Sequence, residues 1–402
     1  MKKLCACVVA SISLSAWANP IPSEQPSNYP QCLESLQDLA AQRGLPPGAQ
    51  NLIGALQWQS RVIELDRRQP EFSLSFGRYF DRAVSAERVR MGQEKLAEQR
   101  SLLKELTREY GVPGRYLVAF WGMETNYGGY MGNTPSLDAL ATLACDTRRS
   151  GFFREELLNA LKVLHVHGLD PAELRGSWAG ALGQVQFMPS NYVRYGRDGD
   201  SDGRVDLFSS TADALTSAAH FLSQLGWQRG ERWGREVLLP TGFDYALADG
   251  KTQRSLGQWQ QKGVRRIDGS ALPAADLQAR LLVPAGADGP AFLVYPNFSV
   301  IKRWNNSDYY AIAVGHLADR LVRAPELHRP APIPSERMAL ADIQRAQQRL
   351  NDLGYNAGPA DGIAGSGTRA AIRAYQQQQG LVADGHLDLP LLEQLGVLEA
   401  TP

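Results

Sequence analysis

About a third of the way along this chain of 402 residues, an apolar helical segment ends with a single acidic residue. Residues 115–121 follow Gly111-Val112-Pro113, a combination that starts helices, and residues 126–129 supply residues that end them. Glu124 therefore falls in the last turn, where burial would raise the pKa of its carboxyl and keep it protonated at neutral pH. Any fold must bury the run and open its last turn to a cleft if Glu124 is a general acid. A carboxylate that only caps or pairs within a helical core is the alternative.

A second segment, residues 177–190, interleaves small residues with amides and aromatic rings. Small residues let a backbone approach a flat ligand, and Gln and Ser side chains can hydrogen-bond that ligand. Alone, the segment could equally be a glycine-rich packing loop. Together with the Glu124 segment it resembles the lytic murein transglycosylases of the membrane-bound B family, which have a lysozyme-like catalytic core and cleave the glycan strands of peptidoglycan. The resemblance runs from about Cys32 to about Arg320.

The amino terminus and the cysteines predict an exported protein. Met1-Lys2-Lys3, an apolar stretch at 4–14 and Ala16-Trp17-Ala18 are typical of a signal peptide, residues 1–18, cleaved after Ala18. The stretch is too short to span a bilayer, and no other segment approaches the ~20 apolar residues of a membrane helix. We expect a periplasmic protein, soluble after cleavage, because Cys5 and Cys7 come too early for the rival lipoprotein anchor.

Cleavage would leave two cysteines, Cys32 and Cys145, in an oxidising compartment, which predicts a disulfide between them. Two unrelated buried thiols are the alternative. Charge adds little, because 42 Lys and Arg balance 42 Asp and Glu. That balance gives no argument for nucleic acid and none against a polar, uncharged glycan strand.

Periodicity predicts a mainly α fold. Helical patterns occupy 70–80, 89–106, 152–164 and 213–225. Short strand candidates at 237–240, 279–284 and 291–295 predict a small α/β lobe inserted between about Gly234 and Tyr295. We therefore expect a lysozyme-like catalytic domain at 30–321 and a Pro-rich, extended linker at 322–337.

The last part of the chain, residues 338–398, is expected to be a separate domain. An amphipathic helix at 343–355 ends at Gly354, and a second follows at 368–376. Each helix is followed by an Asp-Gly turn, Asp361-Gly362 and Asp384-Gly385. The pattern resembles the peptidoglycan-binding type 1 domain, a small three-helix fold. A generic helical cap would explain the periodicity but not the two spaced Asp-Gly turns. Such a domain would tether an enzyme to its insoluble polymer.

The loop at 198–213 has the spacing of a calcium-binding EF-hand. Asp198, Asp200 and Asp202 stand at positions one, three and five, and position seven, Arg204, would contribute its backbone carbonyl. Ser209 occupies position twelve, where a Glu is usual, so Asp213 is the candidate for the final ligand if the loop is longer. The alternatives are that Asp213 caps the next helix after Ser210, or that the loop is a solvated acidic turn. Any Ca²⁺ would be structural, and no cofactor is needed for the chemistry.

The resemblance also implies a set of substrate contacts. It places in the cleft Tyr79, the pair Arg148 and Arg149, Ser177, Gln186, Asn305 and Tyr310. Trp304 and Phe221 depart from the family, since relatives often have Tyr there. We expect those hydroxyl contacts to be lost while stacking on a sugar face survives. Ordinary core packing is the alternative for each aromatic residue, and a solvated surface pair for the two arginines.

The mechanism that the resemblance implies needs one carboxyl. Glu124 protonates the glycosidic oxygen between N-acetylmuramic acid and N-acetylglucosamine, then takes a proton from the muramic C6 hydroxyl, which attacks C1 and closes a 1,6-anhydro ring. Asp138 and Asp146 lie near in sequence, so a second acid in the cleft stays open. A hydrolytic muramidase and a non-catalytic peptidoglycan-binding protein are the rival functions. The sequence identifies no protein partner.

Overall fold

The computed structural model describes residues 25–68, 74–334 and 338–398 of the chain. The predicted signal peptide and its cleavage site lie outside these residues, as does the last part of the linker. Helices dominate the described residues. Those that lead to Glu124 are α1 (Tyr29–Gln42), α2 (Pro47–Gly54), α3 (Ser60–Arg68), α4 (Phe76–Ala83), α5 (Ala86–Glu98), α6 (Arg100–Tyr110) and α7 (Gly114–Thr125). The pattern predicted as one helix over 89–106 is two, because the chain leaves helical geometry at Gln99.

Helix α7 is the centre of the main core. Gly111 ends the preceding helix in the left-handed region, at φ 77°, and α7 ends where Asn126 and Tyr127 both adopt positive φ. All residues from Tyr116 to Gly122 are buried, as is Thr125. The predicted start, burial and end of this helix are confirmed.

The remaining helices of the main core wrap around α7. After the two-residue strand β1 (Thr134–Pro135) come α8 (Ser136–Cys145) and α9 (Ser150–His167); β2 (Arg175–Gly176) pairs antiparallel with β1. Next are α10 (Pro189–Tyr195) and α11 (Thr211–Gln224), and the last two are α13 (Pro296–Trp304) and α14 (Asp308–Leu321). Helices α5, α6, α11 and α14 all pack on α7.

The inserted lobe contains a five-stranded antiparallel sheet in the order β4-β6-β7-β3-β5. Its elements are β3 (Gly234–Leu238), β4 (Gln253–Ser255), α12 (Leu256–Gln261), β5 (Arg265–Arg266), β6 (Gln278–Leu282) and β7 (Ala291–Val294). The lobe has its own apolar core, in which Trp259 is fully buried. The three predicted strands are confirmed, and the two short edge strands, β4 and β5, were missed.

The carboxyl-terminal domain consists of α15 (Leu340–Asp352), α16 (Ser366–Gln378) and α17 (Leu389–Gln394) around a separate core. A buried glutamine holds each Asp-Gly turn in the same way. Gln347 donates to Asp361 and accepts from the Gly362 amide, and Gln376 bonds Asp384 and Gly385 in the same pattern. The three-helix prediction is confirmed, and this repeat explains why the two turns recur.

The amino-terminal arm is covalently tied to the core. Cys32 on α1 forms a disulfide with Cys145 at the end of α8, which confirms the predicted pair. Among the helices in the described ranges, none combines the length and the apolar character needed to cross a membrane.

Candidate active site

Glu124 occupies the last turn of α7, half-buried, and faces α13 and α14. The Tyr310 hydroxyl, near the start of α14, donates a hydrogen bond to Oε1 of Glu124. The side chain of Trp304, at the end of α13, is a second hydrogen-bonding partner of the carboxyl. Two donors on two different helices therefore fix the orientation of this acid.

The surroundings of Glu124 move the pKa of its carboxyl towards neutral pH. Burial raises the pKa of Glu124 to about 7, although the hydrogen bonds from Tyr310 and Trp304 lower it. Burial and the nearby carboxylate raise the pKa of Tyr310 well above its usual value, so the phenol stays protonated and remains a donor. A carboxyl with a pKa close to the working pH can both give and take a proton, which confirms the electrostatic basis predicted for Glu124.

Tyr79 lies on α4, beside the Tyr310 hydroxyl. It contributes to the raised pKa of Tyr310, and its ring centroid is 6.0 Å from that of Tyr309. Tyr309 also packs edge-on against Phe76, at 5.2 Å. The structure therefore brings Tyr79 close enough to Tyr310, which is distant in sequence, to affect its pKa.

The aromatic residues behind the carboxyl form a packed cluster. The Trp304 ring contacts Phe120, Phe187 and Phe221, with centroid distances of 4.5, 5.4 and 5.2 Å. Phe221 is buried, so it is core and not a sugar-stacking surface. Trp304 has no hydroxyl, but its side chain still hydrogen-bonds the Glu124 carboxyl and lowers its pKa.

The segment at 177–190 lies directly against the end of α7. The buried Thr125 hydroxyl donates to the Gln184 carbonyl at 2.7 Å and accepts from the Gly128 amide at 3.0 Å. Gln186, at φ 48°, donates to the Met131 carbonyl at 3.0 Å. Thr125 was not predicted as a site residue, although its place next to Glu124 was a signal for it.

Two further predicted contacts, Ser177 and Asn305, differ in exposure. Ser177 is half-buried and its hydroxyl accepts from the Ala181 amide at 3.0 Å, so it braces the same loop. Asn305 is exposed and follows Trp304 directly at the end of α13. The structure therefore shows Asn305 at the surface, one residue after a partner of Glu124.

Arg148 and Arg149 lie in the turn between α8 and α9 and bind one carboxylate. Both guanidinium groups pair with Asp66, whose side chain is 1% exposed, and Arg148 reaches it at 2.8 Å. The arginine side chains themselves remain 43% and 40% exposed. The two arginines are therefore neither unpaired nor fully solvated. The sequence did not predict Asp66 as the residue that orients them.

Asp138 and Asp146, the two possible second acids, each bind a group other than Glu124. Asp138 accepts from the Gln57 amide at 2.9 Å, and Asp146 pairs with Arg67 at 2.7 Å. Among the described residues, no carboxylate contributes to the pKa of Glu124. In the part of the chain that the structure describes, the pKa of Glu124 is therefore set by burial and by two uncharged donors.

In the acidic loop, backbone amides donate hydrogen bonds to the carboxylates. Carboxylate oxygens of Asp198, Asp200 and Asp202 lie within 4.8 Å of one another. The Gly203 amide donates to Asp198 at 2.8 Å and the Arg204 amide to Asp202 at 2.8 Å, so backbone amides hold two of the three carboxylates in place. Carboxylate and carbonyl oxygens are the ligands that Ca²⁺ prefers, and this donor set fits that ion.

Asp213 lies in the first turn of α11, after the Ser210 cap, which corresponds to the alternative to a metal ligand. Its buried carboxylate accepts from the amides of Gly199 at 2.7 Å and Asp206 at 2.6 Å. Its own amide donates to the Ser210 hydroxyl, the N-cap of α11. The structure thus does not bring Asp213 into the acidic cluster, because its oxygens close the loop against backbone amides at the start of a helix.

Comparisons with known proteins identify the family and the fold. Residues 28–319 match the Transglycosylase SLT domain family, and residues 340–395 match a peptidoglycan binding domain family. The membrane-bound lytic murein transglycosylase B of Escherichia coli (strain K12) is 33% identical over 260 residues, which are 61% of this chain and 67% of that protein.

Two solved structures are similar over most of the chain. SltB3 from Pseudomonas aeruginosa, in complex with NAG-anhNAM-pentapeptide, is 40% identical with a TM-score of 0.87 and covers 92% of this chain and 100% of its own. The Escherichia coli lytic transglycosylase Slt35 in complex with calcium is 30% identical, with a TM-score of 0.62, over 72% of this chain and 92% of its own.

The chain belongs to the transglycosylase SLT domain family. It is an enzyme, a lytic transglycosylase, with a lysozyme-like helical core and a helical domain of the peptidoglycan-binding type at its carboxyl end. The predicted family and fold class are confirmed.

Proposed function

We propose that this chain cleaves the β-1,4 bond between N-acetylmuramic acid and N-acetylglucosamine in peptidoglycan without water, and that Glu124 carries both proton transfers. The carboxyl protonates the glycosidic oxygen, so the bond to the leaving sugar breaks. The resulting carboxylate takes the proton of the muramic C6 hydroxyl, whose oxygen attacks C1 and forms the 1,6-anhydro ring. No cofactor enters, since one group first gives and then regains the proton.

The observation that carries the proposal is the isolation of Glu124. Hydrolytic glycosidases use two carboxylates, one on each side of the scissile bond. Here the single acid has a pKa of about 7 and two uncharged donors around it. The similar protein SltB3 has been seen with NAG-anhNAM-pentapeptide, which contains the kind of anhydro sugar that this route forms.

The predicted contacts take roles that fit their positions. Tyr310 orients the carboxyl, and Tyr79 and Asn305 line the rim where a sugar would lie. Ser177 and Gln186 belong to the loop that Thr125 ties to the end of α7, and their half-buried side chains would contact the sugar.

Arg148 and Arg149 keep exposed guanidinium surface while Asp66 holds them in place. Their part in the proposal is to recognise carboxylates of muramic acid or of the stem peptide. Arginine suits that task, because its planar fork binds a carboxylate through two hydrogen bonds.

The domain limits and the cellular place belong to the same proposal. We assign catalysis to residues 30–321, the linker to 322–337 and wall binding to 338–398, with peptidoglycan as the partner of both domains. A periplasmic or envelope location follows from that substrate, with residues 1–18 as the cleaved signal. The enzyme would serve cell-wall turnover and remodelling.

The loop at 198–213 is proposed to hold a structural Ca²⁺. Asp198, Asp200 and Asp202 would bind it with the carbonyl of Arg204, without Asp213. Similarity to Slt35, seen in complex with calcium, supports this assignment.

Mass spectrometry of products tests the reaction. Purified mature protein should release fragments with 1,6-anhydromuramic ends from peptidoglycan sacculi, and Glu124→Gln, which keeps the shape of the side chain, should release none. Reducing muramic ends would instead identify a hydrolytic muramidase. Sacculus binding without any product would identify a wall-binding protein, and full activity of Glu124→Gln would remove Glu124 from the mechanism.

A further inference from the structure

The carboxyl-terminal domain contacts the start of α14, the helix that carries Tyr310. Arg369, on α16, pairs with Asp308 at 3.7 Å, and its guanidinium carbon lies 5.9 Å from the ring centroid of Tyr309. Asp308 is the first residue of α14, two positions before Tyr310. One side chain of the wall-binding domain therefore touches the turn from which the partner of Glu124 extends.

Tyr309 connects this contact to the second tyrosine. Its ring packs against Phe76 and Tyr79 of α4 on one side and under Arg369 on the other. Its hydroxyl reaches the Pro284 carbonyl of the inserted lobe at 3.4 Å. A displacement of Arg369 would therefore displace both α4 and α14.

The linker adds to the same support. It lies so close to the start of α4 that a Cβ at Gly77 would fall 2.1 Å from the Pro332 carbonyl oxygen. Arg78 donates to the Pro334 carbonyl at 2.5 Å. The helix that carries Tyr79 is thus held between the linker and α14.

A second contact fixes the angle at which the domain approaches. Asp384, in the second Asp-Gly turn, accepts from the Ala287 amide of the inserted lobe at 2.8 Å, and Arg373 donates to the Ala248 carbonyl at 3.1 Å. The first turn makes a different use of its acid, because Asp361 bonds within its own domain. With contacts at the lobe and at α14, the domain is held at two separate places.

An exposed ion pair alone contributes little to any structure. This pair differs, because Asp308 is only 24% exposed and already binds Lys302 at 2.7 Å, so its position is well defined. Arg369 is held in turn by its own bond to the Ala364 carbonyl at 3.2 Å. The contact therefore joins two side chains that are each held by a second partner. A displacement of Arg369 would for this reason also displace Asp308.

We propose that Arg369 is a positioning residue for catalysis: through Asp308 and Tyr309 it holds the start of α14 so that Tyr310 and Tyr79 face Glu124. The carboxyl-terminal domain then supports the chemistry in addition to binding the wall. The inference rests on the proposed roles of Glu124 and Tyr310. A domain that serves only as a tether would leave cleavage of a short soluble substrate unchanged.

The test compares full-length variants on a soluble tetrasaccharide of alternating N-acetylglucosamine and N-acetylmuramic acid. For Arg369→Ala we expect kcat to fall about tenfold with KM nearly unchanged, because a small displacement of a catalytic group is costly. Arg369→Lys keeps the charge and should recover part of the loss. The control, Arg345→Ala, removes an exposed arginine of the same domain that pairs with Asp342 on its own helix, and should match the wild type.

The pH profile adds a result that general loss of structure would not give. A weaker bond from Tyr310 would raise the pKa of Glu124, so the fall of kcat at alkaline pH should move to higher pH. An unchanged kcat and an unchanged profile in Arg369→Ala would overturn the proposal, as would an equal loss in Arg345→Ala.

If Arg369→Ala does not fold, Asp308→Asn decides, since it removes the pair from the other side. We expect the same fall in kcat and the same shift in profile, and wild-type values would overturn the inference. Where both variants fold, the double variant should lose less than the sum of the two single losses, because the contact between Arg369 and Asp308 is shared by both. Failure of the proposed function gives a different result: reducing ends from the wild type, or activity in Glu124→Gln.

Discussion

Replacing Tyr310 with Phe should move the pH dependence of cleavage upward. The hydroxyl of Tyr310 donates to the Glu124 carboxylate and lowers its pKa, while burial raises that pKa to about 7. Removing the donor removes only the lowering effect, so the pKa of Glu124 must rise. Because the acid form protonates the leaving oxygen, kcat falls as pH rises through this pKa, and the variant should keep its acid form to higher pH.

The size of the shift follows from the kind of bond that is lost. A hydrogen bond to a charged group contributes about 1.5–3 kcal/mol, and about 1.4 kcal/mol corresponds to one pKa unit. Glu124 is half-buried, so we take the lower end, a shift of about one unit. The protonated fraction at pH 8 would then rise from about one tenth to about one half. The ratio of kcat at pH 8 to kcat at pH 6 should increase about fivefold.

The assay measures initial rates on the soluble tetrasaccharide from pH 5 to 9. Tyr355→Phe is the control, because it removes a tyrosine hydroxyl that bonds Gln378 in the carboxyl-terminal domain. Trp304→Phe should shift the profile in the same direction by less, since its effect on Glu124 is the smaller of the two. A Tyr310→Phe profile that stays in place, or moves to lower pH, would refute the account of how this acid is tuned.

Three further predictions concern stability. Changing Cys32 and Cys145 together to Ser opens a loop with a sequence separation of 113 and should lower the free energy of unfolding by up to about 5 kcal/mol, measured by urea titration; an unchanged midpoint would contradict it. Added Ca²⁺ should raise Tm, and Asp200→Asn should weaken that response; equal responses would exclude the loop as the site. Glu124→Gln should raise Tm by about 2–4 °C at pH 8 and leave it unchanged at pH 4. Because folding raises the pKa of Glu124, the carboxyl adds stability at pH values below the pKa that it has in the unfolded chain. That added stability is lost as the pH rises through about 7. Equal Tm values at pH 8 would contradict this.

Local patterns predicted the central helix and the acid it carries. The start of α7, its burial and its end at Asn126 depend on residues adjacent in sequence, and so does the position of Glu124 in its last turn. The two Asp-Gly turns of the carboxyl-terminal domain were visible for the same reason. Each is held by a glutamine on the preceding helix, within 15 residues of its turn.

Contacts between distant residues could not be predicted in this way. Asp66 binds Arg148 and Arg149 from more than 80 positions away, and nothing in its own neighbourhood marks it as their partner. The edge strands β4 and β5 have few apolar residues, because an edge strand is bounded by a neighbour on one side only. Asp213 stood at a spacing that suited a metal ligand, but backbone amides of the folded loop bind its oxygens.

The departure at Trp304 shows what the chemistry requires of this position. A carboxyl that must act first as acid and then as base needs a pKa near the working pH, and two opposing influences produce it here. Burial without donors would leave Glu124 too weak an acid, and donors without burial would leave it ionised. The task of residue 304 is therefore to supply one uncharged donor from a packed ring, which an indole can do as well as a phenol. Its ring is held by Phe120, Phe187 and Phe221, so the donor is positioned by the core and needs no contact with the sugar. It follows that a Tyr at this position should keep activity only if its hydroxyl reaches Glu124, whereas Trp304→Phe keeps the packing and loses the donor.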